Sequence, residues 1–295
     1  MPVRSSLALL GWLIIVGCGG TTSNTGQPGT PTPEPNPSTP GTPNTAGGGI
    51  TYLPIRDAGY QLARHDSITL QLPGGASQVQ IIDRTAFVRL TLARDTNGYL
   101  ATIVLDSMQA AVGGVPAAPD SIIPARGTRW TATLTPNGKL SALRADRTTT
   151  LGDQIGSSLR ALFPELPPGG ARPGMEWTDT TEVPVRADAF DAVERSLTRY
   201  RAADSDDPKA KKALKLESTG TYQRTGKGAQ YDQQMEMTAS GNRTGVYYVN
   251  SDGTLTSARG SDSGDMTITV PAVGQTVPVK QAGSYVISST RPTKR

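Results

Sequence analysis

Beyond residue 50, apolar and polar residues of this chain alternate with a period of two, a pattern that confines it to half-buried β-strands. The alternation is cleanest in Tyr231-Asp232-Gln233-Gln234-Met235-Glu236-Met237 and in Met266-Thr267-Ile268-Thr269-Val270. Trp130, Ala132 and Leu134 likewise share one face, with Thr131, Thr133 and Thr135 on the other. Turn residues separate the runs. Pro136-Asn137-Gly138, Gly241-Asn242, Asp252-Gly253 and Gly226-Lys227-Gly228 stand where hairpins are expected to reverse. Residues 98–112 differ: Tyr99, Ala101, Ile103 and Leu105 fill one face, while Leu100, Val104, Met108 and Val112 add apolar surface to the other. That strand is expected to be covered on both sides.

One segment keeps a helical period. Leu151, Ile155, Leu159 and Leu162 fall on one stripe, and Pro164 with Pro167-Pro168-Gly169-Gly170 ends it. A helix of about three turns with a single apolar stripe must lie on something, and the sheet is the available surface. Residues 189–203 suit a helix by Phe190, Val193, Leu197 and Tyr200, and a strand by Thr198-Arg199-Tyr200-Arg201; the strand is the reading taken. Residues 204–212 read as a charged surface loop. The fold class is therefore mainly β: a large curved antiparallel sheet, half-barrel or open barrel, with one short helix packed on it and a disordered N-terminal linker.

The first 49 residues follow other rules. Arg4 precedes an apolar run from Leu7 to Val16, too short for a spanning helix of about 20 residues but of the length of a signal-peptide core. Val16-Gly17-Cys18-Gly19 then looks like the lipobox of bacterial lipoproteins. The resemblance implies removal of residues 1–17, lipidation of Cys18 by diacylglycerol and palmitate, and retention at the cell envelope, for which several acyl chains suffice. Gly19 rather than Asp after the cysteine implies the outer membrane, on its periplasmic or exterior side. Residues 18–49 form a tether of Gly, Thr, Asn, Ser and Pro, whose one charge is Glu34. It cannot bury enough apolar surface to offset ordering. At about 3.1 Å per residue its extended reach is on the order of 90 Å. Residues 50–295 are left as one antiparallel β domain.

The net charge of +4 comes without a basic cluster, which argues against nucleic acid as a partner. Cys18 is the sole cysteine, so the exported domain has no internal disulfide and relies on core packing. No catalytic residue is assigned. Arg64-His65-Asp66-Ser67 contains the three triad residue types, but neighbours on a strand point in alternating directions. A surface histidine near a strand end is expected instead. No nucleophile elbow, phosphate loop or metal site is assigned, and no cofactor. Asp204-Ser205-Asp206-Asp207 and Asp262-Ser263-Gly264-Asp265 read as solvated acidic turns rather than calcium loops, and Asn242-Arg243-Thr244 as a turn.

The hairpin at residues 130–143 with its Asn137-Gly138 turn, the helix at 151–163 and the step Gly174-Met175-Glu176-Trp177 resemble a bacterial group of exported lipoprotein domains of unknown function. The acid of that last step stands one place away from the group's pattern. At greater distance, a curved sheet over a helix is similar in architecture to the half-barrel of periplasmic lipoprotein carriers such as LolA and LppX. Those resemblances imply non-enzymatic binding of a hydrophobic ligand or an envelope partner in the hollow of the sheet. The expected wall residues are Tyr99, Ile103, Trp130, Met235 and Met237, with Leu151, Ile155 and Leu159 on a helix acting as lid or plug. The competing readings are an assembly scaffold that uses a sheet edge or the tether and, behind it, a hydrolase.

Overall fold

The computed structural model describes residues 49–290 apart from 73, 142, 188–189, 209, 211 and 231–232. Cys18, the signal segment, nearly all of the tether, and Tyr231 with Asp232 lie outside the described residues. The described strands form one antiparallel sheet of twelve: β1 (Ile55–Gln71), β2 (Ser77–Asp95), β3 (Gly98–Val112), β4 (Val115–Pro116), β5 (Arg129–Leu134), β6 (Arg144–Ala145), β7 (Glu176–Ala187), β8 (Phe190–Asp204), β9 (Leu214–Gln230), β10 (Gln233–Val249), β11 (Leu255–Val270) and β12 (Gln275–Ser289). Their spatial order is β6-β5-β3-β2-β1-β12-β11-β10-β9-β8-β7, with β4 a short addition to β3. Two meanders thus join where the last strand, β12, pairs with the first, β1, from Tyr60↔Ser289 to Leu70↔Val279. Two helical segments follow β4 and β6: α1 (Pro119–Ile122) and α2 (Thr150–Ser158), and α2 tightens into a 3-10 turn at Leu159–Leu162.

α2 starts where Thr149 Oγ1 accepts the Gly152 N–H at 3.0 Å, a side-chain N-cap. Ile155, Leu159 and Leu162 are buried, as the stripe predicts. α2 packs against both β6 and β7, the two ends of the sheet, so the sheet is curled until one helix spans its gap. The main core lies under that helix, built on Trp130, Tyr60, Leu92, Ile103, Leu105, Leu159 and Leu162. A second apolar cluster fills the other end of the curl, with Ile68, Leu70, Phe190, Met235, Met237, Met266, Ile268, Val277 and Val279.

The segment after the tether closes the helix-bearing end. Ile50 pairs with Ala171, Tyr52 N–H donates to Pro136 O and Leu53 N–H to Asp252 O. Tyr52 Oη donates to Pro164 O at 3.0 Å and Tyr99 Oη to Tyr52 O at 2.8 Å. The turns at Asn137-Gly138 and Asp252-Gly253 form as predicted. Gly138 (φ 89°) and Gly253 (φ 79°) take the left-handed backbone that such turns require. Residues 190–204 are strand, as read.

Four expectations fail for one reason. Gly226-Lys227-Gly228, Gly241-Asn242, Asn242-Arg243-Thr244 and Asp262-Ser263-Gly264-Asp265 are not turns but lie within β9, β10 and β11. Gly241 and Gly264 are there for space beneath the Tyr222 ring, not for reversal. β3 also differs, because only one of its faces is covered, and Leu100 is 44% exposed. The register jumps from Phe87↔Ser107 to Val88↔Leu105, leaving Asp106 as a bulge. The bulge turns Met108 to the same buried face as Leu105, so an apolar pair that reads as two-sided is one-sided.

Candidate functional site

Between the two apolar clusters the inner face of the sheet is polar. The same parity that buries Tyr60, Leu62, Ile68 and Leu70 on β1 carries Arg64 and Asp66. Asp66 joins two arginines. Arg64 Nη2 lies 2.8 Å from Asp66 Oδ1, and Arg84 Nη2 donates to Asp66 Oδ2. Arg64 also donates to Asp262 on β11 at 3.0 Å, and Arg84 Nη1 to Gln154 Oε1 on α2 at 2.9 Å. One hydrogen-bonded chain therefore runs from β11 over β12 to β1, β2 and the helix. It crosses β12 at Gly283, where a Cβ would stand 2.7 Å from both Arg64 Nη2 and Asp66 Oδ1.

A second cluster faces it across the curl. Glu194 on β8 accepts Arg224 Nη2 at 2.6 Å and both Nη atoms of Arg243, at 2.6 and 2.9 Å. Burial pushes the Glu194 carboxyl up, and the hydrogen bonds and charges of Arg243 and Arg224 together outweigh it, holding it at about 2. The Arg243 guanidinium stacks over the Tyr222 ring, 4.4 Å from its centroid.

Paired glycines make room for this layer. Gly241↔Gly264 and Gly245↔Gly260 are cross-strand partners on β10 and β11. The Tyr222 ring lies over the first pair and Tyr285 over the second. A Cβ on Gly241 would be 2.6 Å from Tyr222 Cε1, and one on Gly260 would be 2.6 Å from Tyr285 Cε1. Tyr285 Oη bonds Tyr247 Oη at 2.9 Å, and burial, then Tyr247, raises the Tyr285 phenol, so it stays protonated.

Together these groups floor a hollow of about 460 Å³. Its apolar roof comes from Leu62, Leu140, Leu143, Ile155, Phe163 and Ile287, with Tyr200, Tyr247 and Tyr285 between roof and floor. The free edge of β7, residues 179–184, borders it laterally. At that border burial raises the Glu165 carboxyl, and its neighbour Asp179 raises it further through charge and a shared hydrogen bond. Trp177 stacks on Tyr200 there (centroids 5.2 Å, 14°) and donates to Glu165 O. Formal charges in the lining cancel: Arg64, Arg84, Lys139, Arg160, Arg224 and Arg243 stand against Asp66, Glu165, Asp179, Glu182, Glu194 and Asp262.

The wall expected from the sequence sits elsewhere. Tyr99, Ile103, Trp130 and Leu159 are packed into the main core, with Leu151 partly buried against it. Met235 and Met237 belong to the second cluster. Of that set only Ile155 lines the hollow. These residues are too well packed by one another to face a ligand. The lining that sequence reasoning missed is polar, and its signal is a charged residue in core parity: Arg64 and Asp66 after Leu62, Glu194 after Ala192, Arg243 before Tyr247.

His65 lies in the middle of β1 rather than near its end, exposed, with Nδ1 2.7 Å from Asp83 Oδ1. Strand alternation turns His65 and Ser67 outward and Asp66 inward. Among the described residues no group of three or more His, Cys, Asp or Glu is placed to hold a metal ion, and no helix is long and apolar enough to cross a membrane.

No family model and no curated protein matches the chain. Among solved structures, DynF from the dynemicin biosynthesis pathway of Micromonospora chersina is similar at 13% identity and a TM-score of 0.22, over 88% of this chain and 94% of that one. A likeness of that size carries nothing about fold or function to this chain.

Proposed function

We propose that this chain is a lipid-anchored envelope protein, held by Cys18 at the outer membrane, that binds a small amphiphilic molecule in the hollow and does no chemistry on it. The observation that carries the reading is the hollow itself, about 460 Å³ between an apolar roof and a polar floor. A volume of several hundred cubic ångströms suits a small-molecule site. The sequence points to a hydrophobic ligand or an envelope partner, whereas this lining favours a ligand that is apolar at one end and polar at the other. Because its formal charges cancel, a neutral or zwitterionic head group fits better than an ion.

The hydrophobic fluorophore N-phenyl-1-naphthylamine, whose one polar group is a secondary amine N–H, tests the site. Ser196 and Ser218 stand on the floor among the charged groups, and tryptophan at either fills the space above it. The native chain is expected to enhance the probe's emission, and Ser196→Trp to abolish the enhancement with unfolding unchanged. Equal enhancement by the native and Ser196→Trp chains would place the probe outside the hollow and defeat the reading. Radiolabelled palmitate on the native chain, and none on Cys18→Ser, tests the anchor separately.

A further inference from the structure

Among the described residues, five strand-to-strand connections reverse at the end of the curl opposite the tether, and three neighbouring ones share an unusual chemistry. The β3–β4, β1–β2 and β11–β12 turns follow one another around that rim, as the pairings Val112↔Val115, Gln71↔Ser77 and Val270↔Gln275 show. Residues 68–82, 107–119 and 266–279, which contain these turns, hold not one Asp, Glu, Lys or Arg. Beside neutral Gln, Ser and Thr they carry Leu, Ile, Val, Ala, Pro and Gly. Val115 is 69% exposed, Val273 59%, Val79 58% and Val112 43%. The opposite rim is polar in the ordinary way, with Arg94, Asp95, Asp204, Asp206, Asp207 and Asp252 at its turns and loops.

Scattered exposed valines need no explanation, but three adjacent uncharged turns with their valines in solvent mark a contact surface. We propose that this rim rests on a lipid bilayer, its valines in the interfacial layer. The tether's length and point of entry favour the bilayer as the occupant. The chain enters the body at the polar rim, where Ile50 pairs with Ala171. For the apolar rim to touch the membrane that holds Cys18, the tether must climb the full height of the body. Strand β1 has 17 residues, about 55 Å along its length at roughly 3.3 Å each. The tether reaches on the order of 90 Å when extended, which exceeds that height. A short linker would forbid this orientation, and this one permits it. The proposal uses the Cys18 anchor only to say which membrane is near; the rim's own affinity does not depend on it.

The chain from residue 18 onward carrying Cys18→Ser, which neither an acyl group nor the apolar run from Leu7 to Val16 can anchor, is floated with vesicles of phosphatidylethanolamine and phosphatidylglycerol. It should float, and the floating fraction should hold between about 50 and about 500 mM salt, because an uncharged rim does not rely on screened attraction. Val115→Asp with Val273→Asp should lower the floating fraction roughly tenfold or more while leaving N-phenyl-1-naphthylamine binding in the hollow as it was. A separate Val273→Trp chain should show a blue-shifted emission on adding vesicles, a readout that needs no destabilising change. Failure to float, floating that salt abolishes, or floating indifferent to the two aspartates would overturn the proposal. A protein recovered from envelope extracts on the native rim and lost with the aspartates, without vesicle binding, would overturn it as well. None of these results bears on the hollow, whose own probe reports independently.

Discussion

Glu194→Gln isolates a buried carboxylate held by two arginines. Glu194 is 6% exposed and accepts three hydrogen bonds from two arginines. Its carboxyl is held at about 2 against an ordinary 4.5, which corresponds to about 3 kcal/mol of stabilisation of the ionised form. Since the folded value lies below the unfolded one, this stability is fully present above pH 4.5 and is lost as pH falls toward 2. The amide keeps the shape but removes the charge, so Glu194→Gln should unfold in urea with about 3 kcal/mol less stability at pH 7. Between pH 5 and 2 the native chain should lose its advantage, and the two stability curves should converge. A difference below about 1 kcal/mol at pH 7, or curves that stay parallel down to pH 2, would refute the picture of a desolvated carboxylate bound by two cations.

Three further outcomes follow from the packing. Gly260→Ala should destabilise by about 1–3 kcal/mol in denaturant titrations and shift the Tyr285 ring resonances, because the new methyl occupies the ring's place. Leu159→Ala, which removes a fully buried side chain from the main core, should cost about 2–5 kcal/mol in denaturant titrations and leave N-phenyl-1-naphthylamine binding in place, since Leu159 does not line the hollow. Thr149→Ala should cost about 1 kcal/mol, with the loss concentrated in hydrogen-exchange protection of the first turn of α2, since it deletes the acceptor for Gly152 N–H.

Much of the architecture is legible in the chain. Period-two alternation marks the long strands, and the spacing of Leu151, Ile155, Leu159 and Leu162 marks the helix that spans the gap between sheet ends. Asn137-Gly138 and Asp252-Gly253 are readable as reversals because their left-handed glycines have few other uses. Gly241, Gly245, Gly260 and Gly264 were not readable as strand residues by the same rule. Their purpose is set by Tyr222 and Tyr285 on neighbouring strands, a relation that exists only once register is known. The spacing of four between Gly241 and Gly245, and between Gly260 and Gly264, nonetheless places both glycines of each strand on one face, and a turn does not repeat that way. Asp106 shows a second limit: a single bulged residue reverses the parity of everything after it, and nothing in the local pattern announces it. The hollow escaped for a related reason. Apolar side chains were taken for its wall, yet they pack against one another, and the surface left open is the polar belt on which Arg64, Asp66, Glu194 and Arg243 converge.

Native mass spectrometry of the protein purified from its source cells bears most directly on the hollow as a binding site. A population should carry a small non-covalent adduct of one defined mass, and that adduct should be missing from Ser196→Trp prepared identically. The absence of any such non-covalent adduct from both preparations would contradict the account.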